Sequence, residues 1–232
     1  MGSTPASDVP AHQPTTTRWA LTGAIVFLVA YLLVNFAGVL SDRSLPLPDA
    51  PAADVAAYYS ANPAATVAVA LLQAVSVLGF AGFARAVVRI PATEPARARL
   101  LAGTAGISVL AMLVSCAFSL ALAIVAGSAS LATVQTLRLG SFYAGGVVNV
   151  VTLGLFVLVA ATALARGGFL GAPSRWFGYV AGTLATLSVL SLVFYYASAF
   201  LPIGRILSMV WTVAAAIVLA RHRRPVVAGS PA

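Results

Sequence analysis

Long apolar stretches separated by short polar connections dominate the chain. Six of them reach or approach the roughly 20 residues that an α-helix needs to cross about 30 Å of hydrocarbon. They are Trp19–Leu40, Ala64–Val88, Leu100–Ala126, Gly140–Ala165, Trp176–Ala197 and Ile203–Ala220. Because lipid offers the backbone no hydrogen-bond partners, stretches of this length fold as helices that satisfy their own N–H and C=O groups. The pattern predicts an all-α polytopic membrane bundle of six transmembrane helices.

Polar segments at the two ends of the chain are predicted to be tails. Residues 1–17 are polar and rich in Pro and Thr, which is typical of disordered segments. We expect a disordered tail at 1–17, one six-helix transmembrane domain at 18–221 and a short second tail at 222–232.

The longest predicted connection, 41–63, contains a short helix of its own. Residues 51–61 (PAADVAAYYSA) have a helical composition, with Asp49 placed to cap the helix and Pro51 at an early position. The spacing of Val55, Tyr58 and Tyr59 puts the three side chains on one face. We therefore expect this helix to lie on the bilayer surface or to cover the outer end of the bundle.

Arginines are distributed unequally between the two sides of the predicted bundle. Lys plus Arg number 13, all of them arginine, against 5 acids. Ten arginines fall on the side that holds both termini, and three fall on the other side: Arg43, Arg138 and Arg205. Cytoplasmic connections are enriched in Lys and Arg, so this bias predicts that both termini are cytoplasmic. No basic helix face is interleaved with aromatic residues, and we expect no nucleic-acid partner.

Composition excludes a water-soluble fold and most catalytic chemistry inside the bundle. The chain is 61% hydrophobic and 8% charged, with a mean hydropathy of +1.00, whereas soluble domains carry about 25% charged residues. The interiors of the six stretches hold no Asp, Glu, Lys or His, which argues against proton relays and ion-coupled pumps. His12 and His222 both lie in terminal segments, so we expect no haem, no metal site and no cofactor.

Uncharged polar residues remain as candidates for a binding layer. Gln73 and Asn149 each lie about nine residues from the predicted outer end of their span, which is roughly 14 Å deep. Asn35 is shallower, and Trp211 is at mid-helix rather than at an interface. Two interpretations stay open, because these side chains either line a ligand-binding layer or bond across a helix interface.

A second set of candidates belongs to the outer face. The predicted loop helix contributes Asp54, Tyr58 and Tyr59, and Arg138 and Arg205 are predicted at the outer ends of the fourth and sixth spans. An ion pair such as Asp54 with Arg205 would hold the loop helix as a lid, whereas the alternative is that these charges are solvated.

Small residues recur within the predicted helices. The pairs are Gly178/Gly182, Gly79/Gly82, Gly103/Gly106 and Gly145/Gly146. Such surfaces let helix backbones approach closely, so they indicate either internal packing or a homodimer interface.

The chain also resembles a known family. The resemblance rests on the first helix, the acidic Pro/Ala loop and the segment DVAAYYSANPAA at 54–65 running into the second span. Arg85 and Arg89 after the Gly79/Gly82 pair add to it. Together they are similar to a bacterial family of six-helix membrane proteins, domain of unknown function 4386. The resemblance covers most of 18–220 and implies a multi-pass topology in a bacterial inner or plasma membrane. It transfers no active-site residues.

Three functions are compatible with these patterns. The first is a non-catalytic membrane protein that binds a lipid-like or small apolar ligand, or a partner helix. The second is a membrane-embedded enzyme acting on a hydrophobic, terpene-like substrate, for which Asp54 or Glu94 would supply the catalytic carboxylic acid. The third is a facilitator of neutral solutes. The missing intramembrane charges favour the first.

Overall fold

The computed structural model describes residues 14–37, 46, 49–90, 94–193 and 199–222, and these residues are all-helical without a strand. The helices are α1 (Pro14–Ala37), α2 (Ala52–Ala61), α3 (Pro63–Val88), α4 (Pro95–Val125), α5 (Leu131–Ser141), α6 (Asn149–Arg166), α7 (Ala172–Leu187) and α8 (Phe200–His222). A π-helical segment, Phe142–Val148, joins α5 to α6, and a 3-10 segment, Ser188–Leu192, extends α7.

Four helical segments are long and apolar enough to cross a membrane. They are Pro63–Val88, Pro95–Val125, the continuous run Leu131–Arg166, and Phe200–Arg221. The protein is therefore built from membrane-type helices, as its apolar pattern predicts. The described parts of the first and fifth predicted spans are helical too, in α1 and in α7 with its 3-10 extension.

Two boundaries differ from the prediction. The connection predicted at 127–139 is wrong, because α5 begins at Leu131, where the Ser130 hydroxyl accepts a hydrogen bond from the Thr133 N–H at 3.2 Å. The helix α1 begins at Pro14, inside the predicted tail. The remainder of the two tails, 1–13 and 223–232, lies outside the described residues.

The predicted loop helix is confirmed as α2, and its predicted face is the buried one. Val55, Tyr58 and Tyr59 are buried and pack with Leu122, Ala126 and Val134 of the α4 end and α5. The predicted Asp49 cap is wrong. Pro51 holds the N-cap position without a side-chain hydrogen bond, and Asp49 is exposed. We call this end of the bundle the α2 end, and the end where α3 ends and α4 begins the opposite end.

Glycines hold the helix pairs at close range. A methyl group added at Gly23 of α1 would lie 2.6 Å from the Gly79 carbonyl oxygen of α3, and one added at Gly154 of α6 would lie 2.6 Å from the Gly182 carbonyl oxygen of α7. Backbones therefore touch at these crossings, which only glycine permits. The predicted small-residue surfaces at Gly79 and Gly182 are internal contacts.

Candidate ligand-binding site around Arg205

Arg205 lies inside the bundle rather than at its rim. Although α8 begins only five residues earlier, the side chain is just 8% exposed. Its Nη2 group donates a hydrogen bond to Asn149 Oδ1 at 3.0 Å and another to the Gly145 carbonyl oxygen. The guanidinium carbon lies 5.4 Å from the centroid of the Tyr31 ring, at a distance typical of cation–π contacts. Helices α1, α6 and α8 and the π segment thus meet at one cation.

The π segment explains why a backbone carbonyl is available to Arg205. In an α-helix the Asn149 N–H would donate to the Gly145 carbonyl four residues earlier. Here it donates to the carbonyls of Ala144 and Gly146 instead. Wider turns of this kind are frequent at functional sites. The guanidinium takes the acceptor position at Gly145 that the Asn149 N–H leaves open.

Asn149 is fixed by a reciprocal contact with Ser108 of α4. Its Nδ2 group donates to the Ser108 carbonyl oxygen and to Ser108 Oγ, both at 2.9 Å. Ser108 Oγ in turn donates to the Asn149 carbonyl oxygen at 3.1 Å. Because the amide nitrogen has two acceptors on α4, Oδ1 must face Arg205. Contacts within the protein therefore fix the orientation of the Asn149 amide.

Neighbouring serines keep α4 close to the π segment. Ser115 Oγ donates to the Ser141 carbonyl oxygen at 2.8 Å and lies 2.9 Å from Ser141 Oγ, which also meets Ser119 Oγ at 3.0 Å. A methyl group at Gly145 would collide with Ser115 Oγ. Gly145 is thus required both for this close approach and for presenting its carbonyl to Arg205.

The charge on Arg205 has no acidic partner among the described residues. Asp49 and Asp54 are exposed, and the ion pair that the described residues form joins Glu94 to Arg97, at 3.2 Å, at the opposite end. In addition, Arg205 Nε is buried and has no hydrogen-bond acceptor among the residues that the structure describes. A buried cation without a counter-charge is costly, and a buried donor without an acceptor adds about 1–3 kcal/mol. An anionic oxygen placed at Nε would relieve both costs.

Only one of the two mid-depth amides belongs to this site. Asn149 is buried at its centre, whereas Gln73 is half-buried and makes no side-chain hydrogen bond to another described residue. The side chain of Asn35 lies outside the described residues. Trp211 is fully buried, but its Nε1 donates to the Ser174 carbonyl oxygen at 3.0 Å and its ring packs on Gly178. This indole fills the α7–α8 interface and does not reach Arg205's partners.

The candidates for a lid separate into two groups. Asp54 is exposed, and the suggested ion pair between Asp54 and Arg205 does not form. Tyr58 and Tyr59 instead pack with Val134 of α5. Arg138 of the same helix is 9% exposed, and its Nη2 donates to the Pro46 carbonyl oxygen at 3.0 Å. Burial raises the pKa of Tyr59 above its ordinary value of 10.0, and the nearby Arg138 charge partly opposes that rise.

The acids considered for catalysis do not converge on the buried polar groups. Asp54 lies on the exposed side of α2, and Glu94 precedes α4 at the opposite end, where it pairs with Arg97. Within the described part of the chain, no group of three or more His, Cys, Asp and Glu residues could hold a metal ion. Cys116 is buried and free.

Sequence reasoning missed Ser108 and Gly145 as members of the site. Serine is common in membrane helices, so Ser108 carries no signal of its own. The Gly145/Gly146 pair indicates close helix packing, but it does not indicate that the Gly145 carbonyl accepts a hydrogen bond from a side chain.

Comparison of the chain with protein families, curated proteins and solved structures gives no match. The resemblance to domain of unknown function 4386 stays a prediction.

Proposed function

We propose that this chain is a six-span protein of the bacterial cell membrane that binds a lipid-like, amphipathic ligand with an acidic head group at Arg205. The observation that carries the proposal is the buried Arg205 guanidinium. It has neutral acceptors on one edge, and among the described residues it has no acceptor at Nε and no acidic partner. A carboxylate or phosphate oxygen supplies the missing acceptor and the missing charge. The role is binding rather than catalysis.

The apolar part of such a ligand would lie among the helices that surround the cation. Arg205 is approached by the Tyr31 ring on one side and by Gly145 and Asn149 on another. Sites that bind small molecules are commonly apolar with a few oriented polar groups. Because Ser108 already holds the Asn149 amide, this amide does not have to reorient when the ligand binds.

The proposed topology places both termini in the cytoplasm and the α2 end outside. The burial of the arginines supports it. Two of the three arginines assigned to the outside, Arg138 and Arg205, are buried within the bundle, so they are not loop charges of the kind that the positive-inside rule counts. The exposed arginines of the described chain then lie at the opposite end.

Dodecanoate tests the ligand proposal, with its methyl ester as a neutral probe of the same chain length. Native mass spectrometry of the protein in a non-ionic detergent is expected to show a dodecanoate adduct. Arg205→Gln should weaken dodecanoate binding by about 10- to 100-fold, the value of one charge-assisted hydrogen bond. The ester should bind weakly to both proteins. Gln73→Ala is the matched control, because that amide makes no hydrogen bond within the described part of the chain.

Equal binding of acid and ester, or an unchanged affinity in Arg205→Gln, would overturn the ligand proposal. The buried cation would then be a packing element between α6 and α8.

Topology is tested separately by cysteine labelling in intact cells, in a Cys116→Ala background. Ser128→Cys, between α4 and α5, should react with a membrane-impermeant maleimide. Ala172→Cys, at the start of α7, should react only after lysis. The reverse pattern would contradict the proposed orientation. Both positions are exposed, so access to the thiol depends on the side of the membrane alone.

A further inference from the structure

An apolar groove runs between α3 and α4 near the opposite end of the bundle, and neither Arg205 nor Asn149 lines it. Its volume is about 450 Å³, within the range of about 300–1,000 Å³ that is usual for small-molecule sites. Ala84 and Val88 of α3 form one wall, and Ala105, Val109 and Leu113 of α4 form the other. The groove is open to the surface, so a ligand can enter from the side.

The floor of the groove is open because of Gly106. A methyl group built on Gly106 would meet no atom within 4 Å, in contrast to Gly79 and Gly182, where a methyl group would collide with backbone. Internal packing therefore does not explain why this surface is kept small. Space is left here for a molecule that lies outside the bundle.

Two arginines line the end of the groove nearest the α3 terminus. Arg85 and Arg89 are four residues apart on α3, so they project from the same helix face. Both are exposed, and no ion pair forms at either of them in the described chain, where Glu94 is already paired with Arg97. The groove thus joins an apolar channel to two unneutralised guanidinium groups.

We infer that this groove binds an anionic phospholipid, with an acyl chain along Gly106 and the phosphate at Arg85 and Arg89. Charge complementarity selects the occupant, because a zwitterionic lipid or an apolar helix offers no net negative charge to these arginines. Basic pockets between membrane helices on the cytoplasmic side are known to bind acidic head groups. Only the choice of leaflet depends on the proposed topology, and the site is independent of the Arg205 ligand.

The test uses protein reconstituted in nanodiscs containing equal amounts of phosphatidylglycerol and phosphatidylcholine with identical acyl chains. Native mass spectrometry after release should show phosphatidylglycerol retained in preference to phosphatidylcholine. The Arg85→Gln/Arg89→Gln variant should reduce that preference by about fivefold for each arginine. The control is Arg166→Gln/Arg221→Gln, which removes the same charge from exposed positions at the same end and should keep the preference.

A second variant separates the groove from general surface charge. Gly106→Leu fills the floor without changing the charge, and the open space at Gly106 leaves the fold intact, which the thermal unfolding temperature checks. Loss of the retained lipid in Gly106→Leu supports the inference. Two outcomes would overturn it. One is equal retention of both lipids by the unaltered protein, and the other is a shift from dimer to monomer in Gly106→Leu, which would make the groove an interface between two copies.

Discussion

Arginines at the two ends of this molecule differ in what surrounds them. At the α2 end, Arg138 and Arg205 are buried and donate to backbone carbonyls and to an amide. At the opposite end, exposed arginines face the surroundings of the protein: Arg18, Arg85, Arg89, Arg99, Arg166 and Arg221. The same side chain therefore faces the surroundings at one end and donates hydrogen bonds to internal groups at the other. The arginines at the two ends are distinguished by their burial rather than by their number.

The largest expected effect comes from removing the amide that faces Arg205. Asn149→Leu keeps the volume but deprives the buried cation of its side-chain acceptor, and losing a hydrogen bond to a charged group costs about 1.5–3 kcal/mol. Unfolding in mixed micelles titrated with dodecyl sulfate measures the change. Gln73→Leu is the control and should cost less than about 1 kcal/mol. Similar losses in both variants would mean that Asn149 does not solvate the cation.

A double variant then isolates the charge itself. Adding Arg205→Met to Asn149→Leu removes the cation that the first substitution leaves unsolvated. We expect the double variant to recover about 2 kcal/mol relative to Asn149→Leu alone, because contacting residues of one polar network couple by about 0.5–3 kcal/mol. Strict additivity of the two single substitutions in the same unfolding assay would contradict the coupling.

The next contrast compares a buried with an exposed arginine directly. Arg138→Gln loses the hydrogen bond to the Pro46 carbonyl oxygen, and we expect a loss of about 1–2 kcal/mol in the free energy of unfolding. Arg99→Gln, which is exposed at the opposite end, should change it by less than about 0.5 kcal/mol. Equal losses in the free energy of unfolding for the two variants would mean that the buried arginine contributes no more to stability than the exposed one.

The smallest effect near neutral pH concerns Tyr59. Burial raises its pKa, so the folded protein holds the phenolic proton more tightly than the unfolded chain does. The resulting stability is fully present below pH 10.0 and is lost as the pH rises through the higher pKa of the folded state. The loss is at most about 1.4 kcal/mol for each pH unit.

Tyrosinate absorbance and unfolding, both followed above pH 10.0, check this expectation. Tyr59→Phe should abolish the alkaline loss of stability that comes from this residue. Tyr58→Phe is the matched control and should retain it. An unchanged alkaline profile in Tyr59→Phe would show that α2 leaves the bundle before Tyr59 ionises.

Features set by local spacing could be predicted from the sequence. The face of α2 follows from the positions of Val55, Tyr58 and Tyr59 alone, and the structure buries that face. Helices over the apolar stretches follow equally from composition. The site at Arg205 could not be predicted in the same way, because its depth was counted from a span start at Ile203 whereas α8 begins at Phe200, and a count along one helix does not give its depth relative to another. The count placed Asn149 well below Arg205, yet the two are hydrogen-bonded.

Gln73 and Asn149 show a second limit of prediction from the sequence, because only Asn149 belongs to the polar network at Arg205. Both are amides in apolar helices, and composition does not distinguish them. Which of them turns inward depends on the rotation of its helix, and for α3 that rotation is fixed by the contact between Gly23 and Gly79. This is a property of packing between distant segments, which helical periodicity within one segment does not contain.

The π segment also sets the phase of the helix that follows it. A wide turn accommodates one residue more than an α-helix does over the same turn, and one residue corresponds to about 100° of rotation. The apolar stripe of α6, with Leu153, Phe156 and Leu164, faces the core in that rotated phase. If Phe142–Val148 became an α-helix, the Gly145 carbonyl would accept the Asn149 N–H, and the apolar stripe of α6 would rotate away from the core. By bonding the Gly145 carbonyl, the guanidinium of Arg205 thus stabilises the π-helical turn and with it the rotation of α6 about its axis.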